Sequence, residues 1–234
     1  MTAPRTSLVW LFDVDGTLLL TKGAGREALA LAFKDEFGID DDLTWIPFGG
    51  RTDELILGDV LGKYELELRD GERRRFWDLV SAHMRTLMDP PRGGLMPGVP
   101  AVLDAIGSEP GHVRALLTGN VPGMARIKLE AFGVRDRFAW GTYGDEGPDR
   151  NALARLAVQR ARERHGVPPE RCIVVGDTEH DIACARAAGA RAVAVATGGQ
   201  TRDVLATHAP DLLLDDLRDA ERILGWIRRE AGVS

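Results

Sequence analysis

The feature that most constrains the fold is a short apolar run that ends in two acids. Leu8–Phe12 is apolar throughout, and a run of this length is typical of a strand buried on both faces. It is followed by Asp13-Val14-Asp15-Gly16-Thr17. Because alternate side chains of a strand point the same way, we expect Asp13 and Asp15 to project together from its C-terminal end. Two carboxylates this close repel each other unless a cation neutralises them or one holds a proton.

This pair of acids suits phosphoryl transfer. One carboxylate attacks phosphorus, its neighbour moves a proton, and Mg²⁺ screens the pair from the incoming phosphate. A calcium-binding EF-hand loop also begins Asp-x-Asp, but its sixth position must be glycine, and here that position is Leu18. The calcium loop is therefore excluded. A solvated strand end explains one Asp easily but rarely two on the same face.

Composition narrows the class of protein and its partners. The chain has 234 residues, a net charge of −6 and 44% hydrophobic residues, as in an ordinary globular protein with a core. No basic block occurs, so nucleic acid is not expected as a partner, and no stretch is long enough to span a bilayer. No signal peptide is recognised. Two cysteines, Cys172 and Cys184, are too few for a disulfide framework. We expect a cytoplasmic protein, monomeric or homodimeric, with no membrane partner.

Residues 21–87 have the apolar spacing of helices and no strand pattern. Thr52 is a suitable N-cap for one of these helices, and acids follow it in the first turn. The segment is bounded by two flexible crossings, 21–25 and 90–94, which suit a lid that closes over a site. We interpret residues 21–95 as an all-helical cap domain inserted after the first strand.

From Pro97 onward the pattern alternates between helix and strand. Strands are predicted at 113–117, 138–140, 172–175, 192–196 and, at the edge, 212–214. This alternation predicts an α/β fold: a Rossmann-like parallel sheet with helices on both faces, formed by residues 1–20 and 96–234. Ligands of such sheets bind at the C-terminal ends of the strands.

Polar side chains follow two of the later strands. After the second strand, Thr118 offers a hydroxyl and Gly119 and Asn120 offer backbone N–H groups, which together can bind a phosphate. An ordinary helix N-cap would also explain this motif. After the strand that ends near Val175, Asp177 and Asp181 form a suitable site for a hard cation such as Mg²⁺.

These three motifs resemble the first, second and fourth motifs of the haloacid dehalogenase (HAD) superfamily, in particular of its phosphoglycolate phosphatase group. The resemblance implies that Asp13 is the nucleophile and Asp15 the acid/base. It implies phosphate binding by Thr118, Gly119 and Asn120. It also implies that Mg²⁺ is held by a set of four residues, namely Asp13, Asp15 through its backbone carbonyl, Asp177 and Asp181.

The superfamily also has a third motif, which most often places a lysine after the third strand. This sequence departs from that pattern. No lysine follows Lys128. Arg150, at the start of a long helix, is the best positioned cation, and its guanidinium can bind an oxyanion. A solvated helix-start arginine is the alternative. Lys128 lies well inside the preceding helix, and we predict that it faces solvent.

One loop of the helical segment is suited to a ligand. In the loop 48–53, two glycines permit close approach and Arg51 can reach an anionic group. An exposed arginine fits the residues equally well, and the resemblance favours substrate contact because caps of this class place specificity residues here. Lys22, at the first crossing, is a weaker candidate of the same kind.

These motifs predict a Mg²⁺-dependent phosphatase of a small phosphorylated metabolite. A sugar-phosphate mutase stays open, since it uses the same motifs and a similar cap. Asp15 argues against a dehalogenase, which lacks the second carboxylate. The segment 23–28 mimics a dinucleotide fingerprint but does not follow directly on its strand, so NAD binding is not expected. A catalytically silent interaction module is disfavoured because both acids of the first motif are present.

Overall fold

The computed structural model describes residues 8–230. Its main sheet has six strands, namely β1 Leu8–Phe12, β4 His112–Leu117, β5 Gly141–Thr142, β6 Cys172–Gly176, β7 Arg191–Val195 and β8 Leu212–Leu214. All six are parallel, in the order β5-β4-β1-β6-β7-β8. The surrounding helices are α4 Val99–Ser108, α5 Pro122–Ala131, α6 Arg150–His165, α7 Glu179–Ala187, α8 Arg202–Thr207 and α9 Ala220–Glu230. The predicted α/β class is confirmed.

Strand β1 lies in the middle of the sheet and is buried on both faces. All five of its residues are buried, and it pairs with β4 on one side and β6 on the other. Trp10 and Phe12 pack into a core that includes α4 and α9, whereas Val9 and Leu11 pack into a core that includes α6 and α7. An apolar residue at every position of β1 is therefore needed.

The predicted strand at 138–140 is displaced. Ala139 and Trp140 do exchange backbone hydrogen bonds with β4, but the paired strand β5 is Gly141–Thr142. The apolar residues before it serve packing instead: the Phe138 ring lies edge-on to Phe12, and Trp140 stacks on His165 of α6. Because these apolar side chains serve packing, the paired strand begins only at Gly141. A prediction from apolar character alone therefore places the strand too early in the chain.

Three helices lie between a second pair of strands. They are α1 Ala24–Phe37, α2 Asp53–Lys63 and α3 Asp70–Leu87, and the flanking strands are β2 Leu19–Leu20 and β3 Gly94–Leu95, which pair antiparallel. We call residues 21–93 the helical insertion. The sequence did not predict β2 and β3, because two-residue strands carry no periodic pattern.

The helical insertion has an apolar core of its own. Phe33, Leu57 and Phe76 are buried in it, and Val121, the N-cap residue of α5, and Met124 of α5 belong to the same cluster. The insertion therefore packs on α5 at the C-terminal edge of the main sheet. The cap boundary at 21–95 stays a prediction. Residues 1–7 and 231–234 of the predicted core lie outside the described residues. No helix within 8–230 has both the length and the apolar character needed to span a membrane.

Candidate active site

The ends of three adjacent strands meet beneath a cavity. Asp13 follows β1, Thr118 follows β4 and Asp177 follows β6; these strands are neighbours in the sheet. The cavity has a volume of about 540 Å³. The insertion forms its other side with residues 21–23, 25 and 26, the loop 47–51 and Trp77 of α3. The sequence motifs thus converge on one open cavity between sheet and insertion, which Asp13, Gly119 and Asp177 line.

A buried cluster of acids lies at the core side of this cavity. One carboxylate oxygen from each of Asp13, Asp177 and Asp181 lies within 4.8 Å of the others. Burial raises the pKa of Asp13 and of Asp177, and the negative charge of Asp181 raises both further. Such a group favours a bound cation, and its all-oxygen donor set suits a hard ion such as Mg²⁺. The residues present therefore fit the predicted metal.

Asp177 is held in one orientation by close packing. The hydroxyl of Thr17 donates to its Oδ1 at 3.0 Å. A Cβ at Gly16, whose φ is +84°, would lie 2.4 Å from Oδ2 of Asp177, and a Cβ at Gly198 would lie 1.6 Å from it. The two glycines are thus required for the carboxylate to occupy this position.

Asp181 has both a structural and an electrostatic role. Its Oδ2 accepts from the backbone N–H of Thr178 at 3.1 Å and from the Thr178 hydroxyl at 2.7 Å, which closes a capping box at the start of α7. Its Oδ1 accepts from Arg150. The carboxylate therefore orients the guanidinium as well as adding negative charge to the acid cluster.

Arg150 lies beside Asp13, as the third motif predicts. Its Nη2 is 3.4 Å from Oδ1 of Asp13, and its side chain is only 9% exposed. Burial lowers the pKa of the guanidinium, but Asp181 and Asp13 raise it by more, so Arg150 stays charged. Its Nε is buried and has no partner among the described residues. The structure thus places a fixed cation next to the candidate nucleophile.

The prediction that Lys128 faces solvent is wrong. Its side chain is 6% exposed, and its Nζ lies 2.7 and 2.9 Å from the two carboxylate oxygens of Asp15. The amide oxygen of Asn120 is 2.5 Å from the same Nζ. Lys128 follows the buried Val121 and Met124 by seven and four residues, so it shares their helix face. That spacing was readable from the sequence.

Thr118 and Asn120 form a hydrogen-bonded unit next to Asp15. The hydroxyl of buried Thr118 accepts from the backbone N–H of Asn120 at 3.2 Å and from its Nδ2 at 2.7 Å. The same Nδ2 donates to Oδ2 of Asp15 at 2.7 Å. A Cβ at Gly119 would lie 2.2 Å from the carbonyl oxygen of Arg51, so the insertion backbone crosses directly over this motif.

The predicted cations of the insertion have different environments. Arg51 lines the cavity, but its Nη2 is 2.6 Å from Oδ2 of Asp59 on α2. Lys22 is exposed and also lines the cavity. Arg26 was not predicted: its guanidinium lies 4.8 Å from the centre of the Phe48 ring, and within residues 8–230 no carboxylate lies within ion-pair distance of it. In the sequence, nothing distinguishes this arginine near the start of a helix from a solvated one.

The insertion is fastened to the core at Asp53. The backbone N–H of Asp53 donates to the carbonyl of Gly119 at 2.7 Å, and Oδ2 of Asp53 accepts from the N–H of Val121 at 2.8 Å. Burial raises the pKa of Asp53 to about 6, although Lys128 and the bond from Val121 act in the opposite direction. The loop that carries Arg51 is therefore seated on the motif that carries Thr118.

Comparison with known proteins agrees with this fold. A family model described as HAD-hydrolase-like matches residues 151–220. The β-phosphoglucomutase of Clostridium difficile superposes with a TM-score of 0.72 at 17% identity, over 97% of this chain and 100% of that one. The chain therefore has the HAD-like fold.

Relatives detected by sequence are phosphatases. The phosphoglycolate phosphatase of Agrobacterium fabrum is 29% identical over 92% of this chain and 91% of its own length. The 5'-nucleotidase of Pseudomonas aeruginosa is 24% identical over 92% of this chain and 94% of its own. The predicted resemblance is confirmed, and the chain is a HAD-like phosphatase.

Proposed function

We propose that this phosphatase hydrolyses a small phosphorylated metabolite with Mg²⁺ and through an aspartyl-phosphate. The observation that carries the proposal is the buried cluster of Asp13, Asp177 and Asp181 with Arg150 beside it, at the end of a cavity large enough for a small metabolite. In such a site, Asp13, the backbone carbonyl of Asp15, and Asp177 would hold Mg²⁺, with Asp181 supporting them. When bound, the ion neutralises the carboxylates and the phosphoryl oxygens.

The residues of the first two motifs carry out the chemistry. An oxygen of Asp13 attacks phosphorus, and the bond from phosphorus to the leaving oxygen breaks while Asp15 gives that oxygen a proton. Arg150, with its unpartnered Nε, and the Thr118 hydroxyl bind the phosphoryl oxygens, whose charge they stabilise as the transition state forms. Asp15 then removes a proton from water, and the water oxygen displaces Asp13 to release phosphate.

The insertion favours a substrate with a second anionic group. Lys22, Arg26 and Arg51 all line its side of the cavity, and a guanidinium can bind a carboxylate through two hydrogen bonds. Among the relatives, one is named for phosphoglycolate, a small substrate of this kind, and another for 5'-nucleotides. We propose a small carboxylated phosphomonoester as the substrate, in a cytoplasmic enzyme that is monomeric or homodimeric.

The proposal is tested by a screen of phosphomonoesters with released phosphate as the readout. The set contains phosphoglycolate, ethyl phosphate as its counterpart without the carboxylate, a 5'-nucleotide and glucose 1-phosphate, each with Mg²⁺ and with EDTA. We expect Mg²⁺-dependent release that is fastest from phosphoglycolate. Conversion of glucose 1-phosphate into an isomer without phosphate release would instead identify a mutase. Full activity in EDTA would contradict the metal role.

A further inference from the structure

Each carboxylate of the first motif has its own buried cation. Arg150 lies beside Asp13, and Lys128 lies against Asp15. The second contact is the more extensive, because Nζ of Lys128 reaches both oxygens of Asp15 as well as the amide oxygen of Asn120. In the proposed reaction Arg150 binds the phosphoryl oxygens, whereas Lys128 has no assigned role.

The contacts of Lys128 restrict Asp15 in particular. The side chain of Asp15 is 41% exposed, whereas that of Lys128 is 6% exposed. A carboxylate at the rim of a cavity is free to rotate unless neighbours hold it. Here Lys128 donates to both of its oxygens and Asn120 donates to one, while Asn120 is itself held by Thr118. The orientation of Asp15 is therefore set from the α5 side.

The lysine is itself placed by the packing of two helices. On α5 it shares the buried face of Val121 and Met124, and across from it α1 carries Gly25, where a Cβ would lie 3.7 Å from Nζ. The amine thus occupies space that a larger residue at position 25 would contact. The position of the Lys128 amine is therefore fixed by helix packing, unlike that of a cation in a surface ion pair.

We propose that Lys128 is a positioning residue that, with Asn120, holds Asp15 where it can exchange a proton with the leaving oxygen and then with water. The inference rests on the proposed function. In the first step the Asp13–phosphorus bond forms, the bond to the leaving oxygen breaks, and the Asp15 proton passes to that oxygen. In the second, water loses a proton to Asp15, bonds to phosphorus and frees Asp13. Displacement of a catalytic group by about 1 Å can lower the rate roughly 100-fold.

The test uses two leaving groups that differ in their need for a proton. The leaving group of ethyl phosphate is an alkoxide that must be protonated, whereas the leaving group of p-nitrophenyl phosphate is a stable phenolate. Lys128→Met should lower kcat/KM on ethyl phosphate by about 10–100-fold and on p-nitrophenyl phosphate by less than about 3-fold, because kcat/KM reports the steps up to release of the leaving group and not the later attack of water, which both substrates share. Because both rates come from one preparation, their ratio does not depend on the fraction of folded protein. Lys128→Gln, which keeps a polar side chain, should shift the ratio the same way.

Two controls separate positioning from a structural role. Arg126→Met removes an exposed cation from the same helix and should leave both rates unchanged. In an Asp15→Asn background, Lys128→Met should lower the ethyl phosphate rate by less than about twofold further, because residues that act as a unit are not additive.

The possible failures are distinguishable. Equal losses of Lys128→Met on both substrates, or full additivity with Asp15→Asn, would overturn the role of Lys128 while the wild-type activity stands. No phosphate release by the wild-type protein from any substrate would overturn the proposed function, and the positioning role with it.

Discussion

The two sides of the cavity hold their charges differently. On the core side, Arg150 and Lys128 are buried and each is paired with acids of the motifs. On the insertion side, Lys22 is exposed, Arg26 lies over an aromatic ring, and Arg51 pairs with exposed Asp59 of its own segment. The core-side cations are thus paired with acids of the motifs, whereas on the insertion side Lys22 and Arg26 line the cavity without an ion-pair partner among residues 8–230.

This difference follows from desolvation. A buried charge is tolerated only when it is paired, and removal of one partner leaves the other uncompensated. Changes at Asp13, Asp177 or Arg150 should therefore affect every substrate, because they disturb the reacting groups themselves, whereas loss of Lys128 should spare a substrate whose leaving group needs no proton. Changes on the insertion side should affect only substrates that reach its cations.

The largest effect is expected at Asp13. Asp13→Asn keeps the shape but removes the attacking anionic oxygen, so kcat should fall by at least about a thousandfold on every phosphomonoester. Asp136→Asn, at an exposed acid, serves as the matched control. A variant that keeps more than a tenth of the wild-type rate would show that Asp13 is not the nucleophile.

The next largest effect is expected at Asp177. Asp177→Ala removes a carboxylate from the acid cluster, so the Mg²⁺ concentration needed for half-maximal activity should rise by about 10-fold or more. Chelation by EDTA should abolish wild-type activity, and added Mg²⁺ should restore it. An unchanged Mg²⁺ dependence in the variant would exclude Asp177 from the metal site.

On the insertion side, Arg26→Ala and Arg51→Ala form a matched pair. If Arg26 binds the second anionic group, its loss should lower kcat/KM for phosphoglycolate about 10–100-fold, equivalent to about 1.4–2.7 kcal/mol. The Arg51 variant should lose less, because Asp59 already engages that guanidinium. Neither variant should change p-nitrophenyl phosphate hydrolysis by as much. Equal losses on both substrates would assign these residues to the fold or the chemical step.

The smallest effect concerns stability at Asp53, where the two sides join. Its pKa is raised from 3.8 to about 6 by burial, so the folded state binds the proton more tightly than the unfolded state does. The stability contributed by this group is present below about pH 4 and is lost as pH rises to about 6. Relative to Asp53→Asn, the wild-type protein should lose about 1–3 kcal/mol between pH 4 and 8. Chemical denaturation at several pH values measures this difference, and a constant difference would contradict it.

The sequence predicts the core side of the site well for a physical reason. Asp13, Thr118 and Asp177 each follow an apolar strand, and the rule that parallel strands end at one edge brings them together. Their convergence therefore needs no knowledge of side-chain packing.

What the sequence reading missed depends on packing between elements. The spacing of Lys128 places it on the buried face of α5, but what covers it there is α1, which approaches α5 at Gly25. The choice between Arg26 and Arg51 depends on Asp59 reaching back from α2 to the loop before it. Such contacts join segments whose spacing in the chain has no fixed period, and only the folded structure supplies them.

The short ribbon of β2 and β3 has a modular consequence. Because Leu20 pairs with Gly94, the chain enters and leaves the helical insertion at adjacent points. Residues 21–93 can thus be exchanged for another segment, or reduced to a two-residue hairpin turn, without altering the strand order of the main sheet. Such an exchange would leave the acid cluster intact but uncover Val121 and Met124. New substrate preferences could then be acquired by replacing one segment, while the reacting groups stay unchanged.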